Sequence, residues 1–477
     1  MSYEEIILEK DREIAYLKHE LETLKRMIYG IRSEKFKSLE SPLQLSLFDE
    51  QQVEQEQEEL PKEQISYQRT KPAKNHSGRN ELPEHLPVQE EIIEPEEDTT
   101  GLVKIGEEIT ETLEYTPASL IKKRIIRPKY AAKEGQGVLI AALPPRPIDK
   151  GIAEASLLAH IIICKFVDHL PFYRQIKRFK RDYGWEVSSS TINDWFKAVS
   201  ILLEPLYNVL KQKILDSGYI QVDESPIKVL DSDKSGSTHQ GYQWVYYSPE
   251  EKLVLFNYRK GRGQHGPKEL LESFQGYLQC DGYTVYDKLG MKSGIDLAGC
   301  LIHARRKFFE AKDSDAIRAN YALKIIGQIY HHEQEAKGMD PQQRKAYRDV
   351  HTKGLVLSFR EWVDTQALKV LPKSPIGKAM TYFVNQWPKL IALWENGRLE
   401  LDNNLIENKI RPLALGRKNY LFAGSHQGAQ RIAIIYSFLG SCAAQDVNPY
   451  EWLKTTLDKI PSTKLSELER LLPNSKM

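Results

Sequence analysis

The sequence predicts a multidomain protein of mixed α/β and α+β class, and three observations lead to this fold class. First, 477 residues exceed one ordinary core, since a prior of roughly 150 residues per domain gives about three units. Second, three β-rich runs begin at Tyr219 (YIQVDESPIKVL, GYQWVYYS and KLVLFNY) and predict strands of one sheet. Third, helical periodicity precedes these runs over 153–204 and follows them over about 313–399, where we expect an inserted helical subdomain.

The N-terminal residues 1–37 predict a coiled-coil helix. Apolar side chains recur there at alternating steps of three and four residues, as in a heptad seam: Ile14, Leu17, Leu21, Leu24, Ile28 and Ile31. Such a seam favours a homo-oligomer, although about three to four heptads also suit a helix that packs within one chain. Residues 38–86 are rich in Gln, Glu, Pro, Ser and Lys without an apolar period, and they predict a flexible linker.

Two small units are predicted ahead of the sheet and one helical segment after it. Short β-like runs bounded by Gly and Pro predict a small β unit over 87–147. Three helical segments over 150–208, the last capped by Ser190 or a neighbour, suit a helix-turn-helix whose third helix enters a DNA groove. A plain helical bundle fits this pattern equally well. Residues 427–477 predict a C-terminal helical tail.

Composition limits the class of protein and its compartment. The 41% hydrophobic and 28% charged fractions are those of a soluble globular protein, and no apolar run approaches the length of about 20 residues that a membrane span needs. The acidic start MSYEEIILEK argues against a secretory signal, so we expect a cytoplasmic protein. Four widely spaced cysteines predict free thiols. Cys300 and His303 form one C-x-x-H pair without an obvious second pair, so no zinc is predicted.

Two aspartates lie in β-rich runs, where acidic residues are disfavoured. Asp223 lies in the apolar run that contains Val222 and Ile227, so its charge requires compensation. Asp281 lies in the run GYLQCDGYTVY, but Asp281-Gly282 is also a preferred hairpin dipeptide, so a structural turn is an equal alternative. If the first and fourth strands are neighbours, the two aspartates can face each other across the sheet.

A third carboxylate, Glu407, lies in the segment 402–424, DNNLIENKIRPLALGRKNYLFAG. On its own, this segment predicts a helix start capped by Asn404 and an i, i+4 ion pair from Glu407 to Arg411. A carboxylate among cations does not help to bind phosphates unless a metal ion lies between them. In that interpretation Glu407 joins the two aspartates from a helix.

Five cation-rich clusters are separated along the sequence, and the net charge of +1 conceals them. Together they could line one groove for a polyanion, although each cluster alone is an ordinary solvated face. The predicted DNA contacts are Arg259, Lys260, Arg305, Arg306, Arg411, Arg417 and Lys418.

Three carboxylates in one partly dry place repel one another, and protonation or divalent cations relieve the repulsion. Mg²⁺, or Mn²⁺ in its place, prefers oxygen ligands and substrate phosphates. Two such ions about 4 Å apart can activate an attacking oxygen and stabilise the leaving oxygen. We therefore expect two metal ions near Asp223, Asp281 and Glu407, and phosphoryl transfer on a nucleic-acid backbone.

Several motifs follow one another along the chain: VDES around Asp223, GYLQCDGY around Asp281, HARRKF at 303–308, and DNNLIENKIRP continuing to GRKNYLFAGS. In this order they resemble the signatures of the insertion-sequence-66 family of transposases, and IYGIRSEKF, QLSLFDE and IRPKYA extend the resemblance over nearly the whole chain. The resemblance implies a DDE-type enzyme with a ribonuclease-H-like catalytic domain over 213–426, interrupted by the helical insertion. It also implies that Asp223, Asp281 and Glu407 are the catalytic, metal-binding triad.

The chain departs from the family pattern in two places. Many relatives carry paired cysteines of a zinc module where this chain has EPEEDTTG at 94–101 and AAKEGQG at 131–137. The family also usually has Arg directly after the catalytic Glu, where Asn408 stands and the next cation is Lys409.

The resemblance implies a transposase that binds the terminal repeats of its element and uses metal to cleave them and join them to target DNA. Accessory proteins of the element are possible further partners. The alternatives are a non-catalytic DNA-binding or assembly protein and a metal-dependent DNA nuclease that does not join strands.

Overall fold

The computed structural model describes residues 119–126, 129–131, 138–140, 145–230 and 236–473. The predicted coiled coil (1–37) and linker (38–86) lie outside these residues, as does most of the predicted small β unit (87–147). The described part of that unit contains two short strands that pair antiparallel, β1 (Lys129–Ala131) and β2 (Val138–Ile140).

Among the described residues, three helices precede the main sheet: α1 (Ala155–Phe166), α2 (Phe172–Tyr183) and α3 (Ser189–Leu215). Gly184 ends α2 with φ of 63°, a left-handed conformation that glycine adopts without strain. The hydroxyl of Ser188 accepts a hydrogen bond from the Thr191 backbone N–H at 3.0 Å and caps α3. The cap is therefore a neighbour of Ser190, as the sequence predicts.

The long helix α3 contacts both the preceding helices and the main sheet. In its N-terminal half, Phe196 packs against the rings of Phe166 and Phe172. In its C-terminal half, the Tyr207 hydroxyl donates to the Phe256 carbonyl oxygen at 2.7 Å. The helix thus runs without a break across position 208, where the sequence predicts the end of the DNA-binding region.

The main sheet has five strands in the order β5-β4-β3-β6-β7. Strands β3, β4 and β5 form an antiparallel meander, and strands β6 and β7 run parallel to β3. The prediction of a mixed sheet in an α/β fold is confirmed. The strands are β3 (Tyr219–Leu230), β4 (Thr238–Ser248), β5 (Leu253–Arg259), β6 (Gly276–Gln279) and β7 (Ile295–Ala298). Two short helices lead to the parallel strands, α4 (His265–Leu270) before β6 and α5 (Thr284–Gly290) before β7.

Two glycines lie opposite each other where β3 and β6 begin. Gly218 precedes Tyr219, which pairs with Tyr277, the residue after Gly276. Gly276 has φ of 129°, and a side-chain carbon there would lie 2.1 Å from the Gly218 carbonyl oxygen. Only glycine allows this approach, which lets the Tyr277 N–H donate to the same oxygen at 3.0 Å. The contact fixes how the two strands align.

Further helices of the described chain follow the sheet: α6 (Leu301–Glu310), α11 (Asn404–Tyr420), α12 (His426–Ala444) and α13 (Pro449–Lys459). Two short 3₁₀ segments come after α13. Helix α12 covers the edge strand β5. The hydroxyls of Ser437 and Ser441 accept the backbone N–H groups of Phe256 and Val254 at 2.8 and 2.9 Å. These bonds satisfy edge groups that would otherwise be free to pair with another chain.

The range 313–399 is helical, as the sequence predicts, and its apolar residues form a second hydrophobic cluster. Its helices are α7 (Ala316–Glu335), α8 (Pro341–His351), α9 (Lys353–Ala367) and α10 (Pro375–Glu395). Phe308 of α6 packs against Phe359 and Phe383. Through this contact the helical cluster packs against α6, the helix that follows β7.

A buried arginine lies inside this helical cluster. Arg348 is 1% exposed, and its guanidinium donates to the Glu333 carboxylate at 2.8 Å. It also donates to the carbonyl oxygens of Leu393 and Leu399 at 2.8 and 2.9 Å. Its charge is therefore paired and its donors are used by three separate chain segments.

Within the part of the chain that the structure describes, no helix is long and apolar enough to cross a membrane. The four cysteines, Cys164, Cys280, Cys300 and Cys442, are buried free thiols, which confirms their prediction from the sequence.

Candidate active site

The two predicted aspartates lie where β3 and β6 run side by side. Gln221 of β3 is paired with Gln279, the last residue of β6. Asp223 follows Gln221 by two residues, and Asp281 follows Gln279 by two. Because side chains alternate along a strand, residues two apart share a face. The expected pairing of the first and fourth strands is confirmed, and it brings Asp223 close to Asp281.

The charge environment of Asp223 links it to the other predicted carboxylates. The pKa of the Asp223 carboxyl is raised to about 8, mainly by burial and also by the negative charges of Glu224, Asp281 and Glu407. A hydrogen bond from the Glu224 backbone N–H to Asp223 Oδ1, at 2.7 Å, acts in the opposite direction. Four carboxylates from three chain segments therefore lie within electrostatic reach of one another.

Asp281 ends β6 in a local turn. Its Oδ1 accepts the backbone N–H of Tyr283 at 2.9 Å, and α5 begins at the next residue. The chain after Asp281-Gly282 thus enters a helix, so the structural alternative of a β-hairpin at this dipeptide is wrong. Asp and Asn side chains commonly hold such turns, and here the turn also fixes the carboxyl group at the end of the strand.

Two buried glutamines connect both strands to the segment that precedes Glu407. The Gln279 amide donates to the Glu400 carbonyl oxygen at 2.7 Å, and the Gln221 amide donates to the Asp402 carbonyl oxygen at 3.1 Å. Gln221 also donates to the Gln279 side-chain oxygen at 2.9 Å. A buried amide network of this kind favours one arrangement of the chain. It holds the start of α11, and with it Glu407, beside the two aspartates.

The start of α11 differs from the sequence prediction. Asn403, not Asn404, is the cap residue, and its side chain makes no capping hydrogen bond. The Asp402 carboxylate instead accepts the Asn404 backbone N–H at 2.9 Å. Glu407 lies in the first turn, where a negative charge interacts favourably with the helix dipole. Among the described residues, Glu407 forms no ion pair with Arg411, so that prediction is wrong.

A histidine that sequence reasoning considered only as a zinc ligand lies close to Glu407. His303 Nε2 lies 3.9 Å from Glu407 Oε1. Burial lowers the pKa of His303, while the charge of Glu407 raises it. Cys300 Sγ accepts the Asn403 backbone N–H at 3.3 Å and so links the start of α6 to the start of α11. The C-x-x-H pair was the sequence signal that could have identified His303 as part of this site. In the structure, this pair brings His303 close to Glu407.

Glu224 is a further carboxylate that sequence reasoning did not single out. Its side chain is 3% exposed and lies 2.5 Å from the Arg262 guanidinium. The Tyr286 hydroxyl donates to its other oxygen at 2.8 Å. Both Glu224 oxygens thus have strong partners, which suits a structural role beside Asp223.

The cations predicted on α11 differ in their surroundings. Arg411 and Lys418 are exposed. Arg417 donates to the Ser225 hydroxyl at 2.9 Å and to the Pro226 carbonyl oxygen, so its guanidinium joins α11 to β3.

The other predicted DNA contacts lie near the strand ends or on α6. Arg259 is half-buried and donates to the Glu269 carboxylate at 2.9 Å, whereas Lys260 is exposed. Arg305 and Arg306 lie on α6 together with His303 and are partly buried. The structure therefore brings Arg306 near the carboxylates and leaves Arg259 in a peripheral ion pair.

The carboxylates fit a divalent cation by their chemistry. Oxygen ligands suit Mg²⁺ and Mn²⁺, and a bound cation would relieve the repulsion that raises the Asp223 pKa. Within the described ranges, no three His, Cys, Asp or Glu side chains are arranged to ligate one ion together.

Comparison with known proteins extends these observations to the whole chain. Residues 150–431 match the Transposase IS66 family, residues 437–474 match the IS66 C-terminal element, and residues 16–90 match a unit described as Transposase C of IS166 homeodomain. Two relatives from Sinorhizobium fredii (strain NBRC 101917 / NGR234) are 32% identical to this chain. They are uncharacterized protein y4jD, over 97% of this chain and 94% of its own length, and uncharacterized protein y4qI, over 96% and 88%.

A mixed α/β sheet with grouped carboxylates, together with these matches, places the chain in the class of transposases. It belongs to the IS66 transposase family, which confirms the resemblance found in the sequence motifs.

Proposed function

We propose that this protein is a DNA transposase that binds the ends of its own element and catalyses metal-dependent strand cleavage and transfer. The observation that carries the proposal is the grouping of Asp223 within β3, Asp281 just after the end of β6 and Glu407 in the first turn of α11, where each of the other two raises the pKa of Asp223. Perturbed carboxylates gathered in one place are typical of catalytic sites.

The sheet supports a ribonuclease-H-like catalytic domain. Its antiparallel and parallel parts meet at β3, which carries Asp223, and the strand beside it leads to Asp281. Glu407 comes from a helix after the insertion, more than one hundred residues later in the chain. These features match the arrangement that the family resemblance implies.

In this proposal the three carboxylates hold one or two Mg²⁺ or Mn²⁺ ions. When bound, such ions activate the attacking oxygen and stabilise the leaving oxygen of a phosphodiester. The His303 ring lies beside the Glu407 carboxylate, with Nε2 3.9 Å from Oε1. Exposed cations such as Arg411 and Lys418 attract the DNA backbone, to which cations contribute much of the affinity.

The remaining regions receive roles that follow the sequence predictions. Residues 150–208 provide a second DNA-binding surface, and α2 carries exposed cations on its outer face, among them Arg174 and Lys177. Residues 1–37 join copies of the chain through a coiled coil. DNA of the element ends and of the target is the principal partner.

Carboxylate substitution tests the proposed site. With DNA that contains the element end, Asp223→Asn and Glu407→Gln should lower the cleavage rate in Mg²⁺ on the order of 10²–10³-fold or more, as does loss of one preorganised charge-stabilising group elsewhere. DNA affinity should change little. Asp296→Asn, at an exposed position of β7, is the matched control. Normal cleavage by either active-site variant would reject the triad.

The products of the same assay separate the proposal from its rivals. A transposase joins the cleaved ends to target DNA, whereas a nuclease leaves them free. A non-catalytic assembly protein binds DNA and produces no cleavage in the wild-type chain with either metal.

A further inference from the structure

Beside Asp281 the structure contains a cavity of about 290 Å³ that none of the predicted roles uses. The strand-end turn contributes Tyr283, α6 contributes Arg306 and Lys307, and the helical insertion contributes Tyr382. This volume lies just below the ~300–1,000 Å³ typical of small-ligand sites.

The charges around this cavity favour an anion. Arg262, Arg306 and Lys307 line it, against the single carboxylate of Asp281. Lys307 pairs with Glu310 at 3.2 Å, but both side chains are about half exposed and lie three residues apart on α6. Exposed pairs of this kind contribute only ~0–1 kcal/mol. Lys307 can therefore exchange Glu310 for a phosphate at little cost.

Two tyrosine rings give the cavity flat walls. The Arg262 guanidinium lies 4.2 Å from the centre of the Tyr283 ring and covers it, while its other contact, with Glu224, holds it there. The Tyr382 ring lies over Gly282, where a side-chain carbon would be 2.9 Å from the ring. Glycine at this position thus leaves space for Tyr382 to reach the strand end.

His303, one of the residues that line the cavity, also carries an unsatisfied polar atom. His303 Nδ1 is buried without a hydrogen-bond partner, although the opposite ring nitrogen faces Glu407. A buried polar atom without a partner is destabilising, and such atoms commonly indicate an absent water or ligand. A ligand with hydrogen-bonding groups would supply the partner.

We propose that this cavity binds one unpaired nucleotide of the DNA strand at the cleavage site, with its base against Tyr382 and Tyr283 and its phosphate beside Arg306 and Lys307. Base stacking on aromatic side chains together with cationic contacts to the backbone is the general mode of single-strand binding. A base inside a duplex cannot reach the tyrosine faces. The helical insertion thereby acquires a substrate-contacting role through Tyr382. This inference rests on the proposed function for the presence of DNA at Asp281.

Affinity for a single-stranded tail tests the proposal. The probes are a duplex with a short 3′ thymine tail and a blunt duplex of the same sequence, and the full-length Asp223→Asn chain removes cleavage from the measurement. Fluorescence anisotropy should show about tenfold tighter binding of the tailed duplex, within the range that stacking contributes. Tyr382→Ala should abolish the difference, and Tyr382→Phe should keep it because the ring remains. Equal affinities for the two probes in the parent chain would overturn the proposal.

Controls on the insertion distinguish the cavity from a general effect. Tyr321→Ala changes an exposed tyrosine of α7 and should leave the tailed-duplex preference intact. Lys307→Gln should weaken tail binding severalfold and reduce its salt dependence, while Lys324→Gln, at an exposed position of α7, should not. Equal effects of the two lysine variants would count against a phosphate site at Lys307.

Photocrosslinking of the protein without tyrosine substitutions covers the case in which Tyr382→Ala fails to fold. A 5-iodouracil in the tail should crosslink to Tyr382 or Tyr283, and crosslinks confined to other residues would overturn the proposal. These binding results do not depend on cleavage. Loss of the proposed function would instead appear as normal cleavage by Asp223→Asn, whatever the tail preference.

Discussion

Buried charge occurs in two regions of the molecule and is treated in opposite ways. In the helical insertion, Arg348 is 1% exposed, and its guanidinium is paired with Glu333 and two backbone carbonyl oxygens. Within β3, beside the end of β6, Asp223 receives one backbone hydrogen bond and lies near the carboxylates of Asp281 and Glu407.

The difference separates a structural charge from a reactive one. A fully paired buried charge holds the surrounding segments in one arrangement, and its removal leaves a partner without compensation. A buried carboxylate among other carboxylates destabilises the fold until a cation or a proton arrives. The insertion therefore uses charge to fix its fold, and the strand ends keep charge available for a ligand.

The largest expected effect breaks the paired side of this comparison. Arg348→Met should lower the free energy of unfolding by about 3 kcal/mol, because the largely buried Glu333 and two buried carbonyl oxygens would lose their partner. Urea denaturation measures the change. Lys345→Met is the control, since Lys345 forms an exposed i, i+4 pair with Asp349 whose loss costs about 0.3–0.5 kcal/mol. Similar effects of both variants would show that the Arg348 charge is not structurally important.

The second prediction concerns the unpaired side and has the opposite sign. Without metal, Asp223→Asn should stabilise the protein at pH 9 by up to a few kcal/mol, since each unit of pKa shift corresponds to about 1.4 kcal/mol. The folded-state pKa of about 8 lies above the unfolded value near 4. The folded state therefore binds more protons between these values, and wild-type stability is lost as pH rises through that window.

Thermal unfolding in EDTA at several pH values measures this effect. The stability difference between Asp223→Asn and wild type should be small at pH 4 and grow toward pH 9. Mg²⁺ should then raise the wild-type unfolding temperature more than that of the variant, because a ligand stabilises the state it binds. A pH-independent difference would contradict a strained carboxylate at this position.

The third prediction tests the connection between the strands and Glu407. Gln279→Met removes the amide hydrogen bond to the Glu400 carbonyl while keeping a side chain of similar length. We expect the cleavage rate to fall about tenfold at unchanged DNA affinity, because small displacements of a catalytic group slow the chemical step. An equal fall in affinity and rate would indicate general unfolding instead.

The smallest effect is expected on the surface of α11. Arg411→Gln should weaken DNA binding and lower its salt slope by about 1, as for one phosphate contact. Arg417→Gln should instead lower stability, because it breaks the hydrogen bonds to Ser225 and Pro226. Salt titrations and thermal melts of the two variants distinguish these outcomes. The reverse pattern would exchange the roles of the two arginines.

Local pattern was sufficient to predict the sheet and the helical insertion. Runs rich in β-forming residues indicated β3, β4 and β5, and the unfavourable placement of Asp223 in a strand pointed to a functional carboxylate. Asp223 and Asp281 were expected to face each other if β3 and β6 were neighbours, and the observed pairing of these strands meets that condition. The roles of the three carboxylates remain predictions that the cleavage experiments test.

Contacts between distant segments were beyond local pattern. The Gln221–Gln279 network, the contact between His303 and Glu407, and the position of Tyr382 over Gly282 each join residues far apart in the chain. A glutamine in a strand carries no signal of its partner. The predictions of an Asn404 cap and of an ion pair between Glu407 and Arg411 were wrong for a related reason. Packing against Cys300 and the glutamines, rather than local propensity, decides where α11 begins.

The close approach of Gly218 and Gly276 has a consequence for which changes of length the chain tolerates. Asp223 is the fifth residue after Gly218, and Asp281 is the fifth residue after Gly276. Both aspartates therefore lie the same number of residues beyond one contact point between two parallel strands. Inserting or deleting one residue in either interval would turn one carboxylate to the opposite face of the sheet. Substitutions within these intervals can be tolerated, whereas insertions and deletions should be absent from active copies.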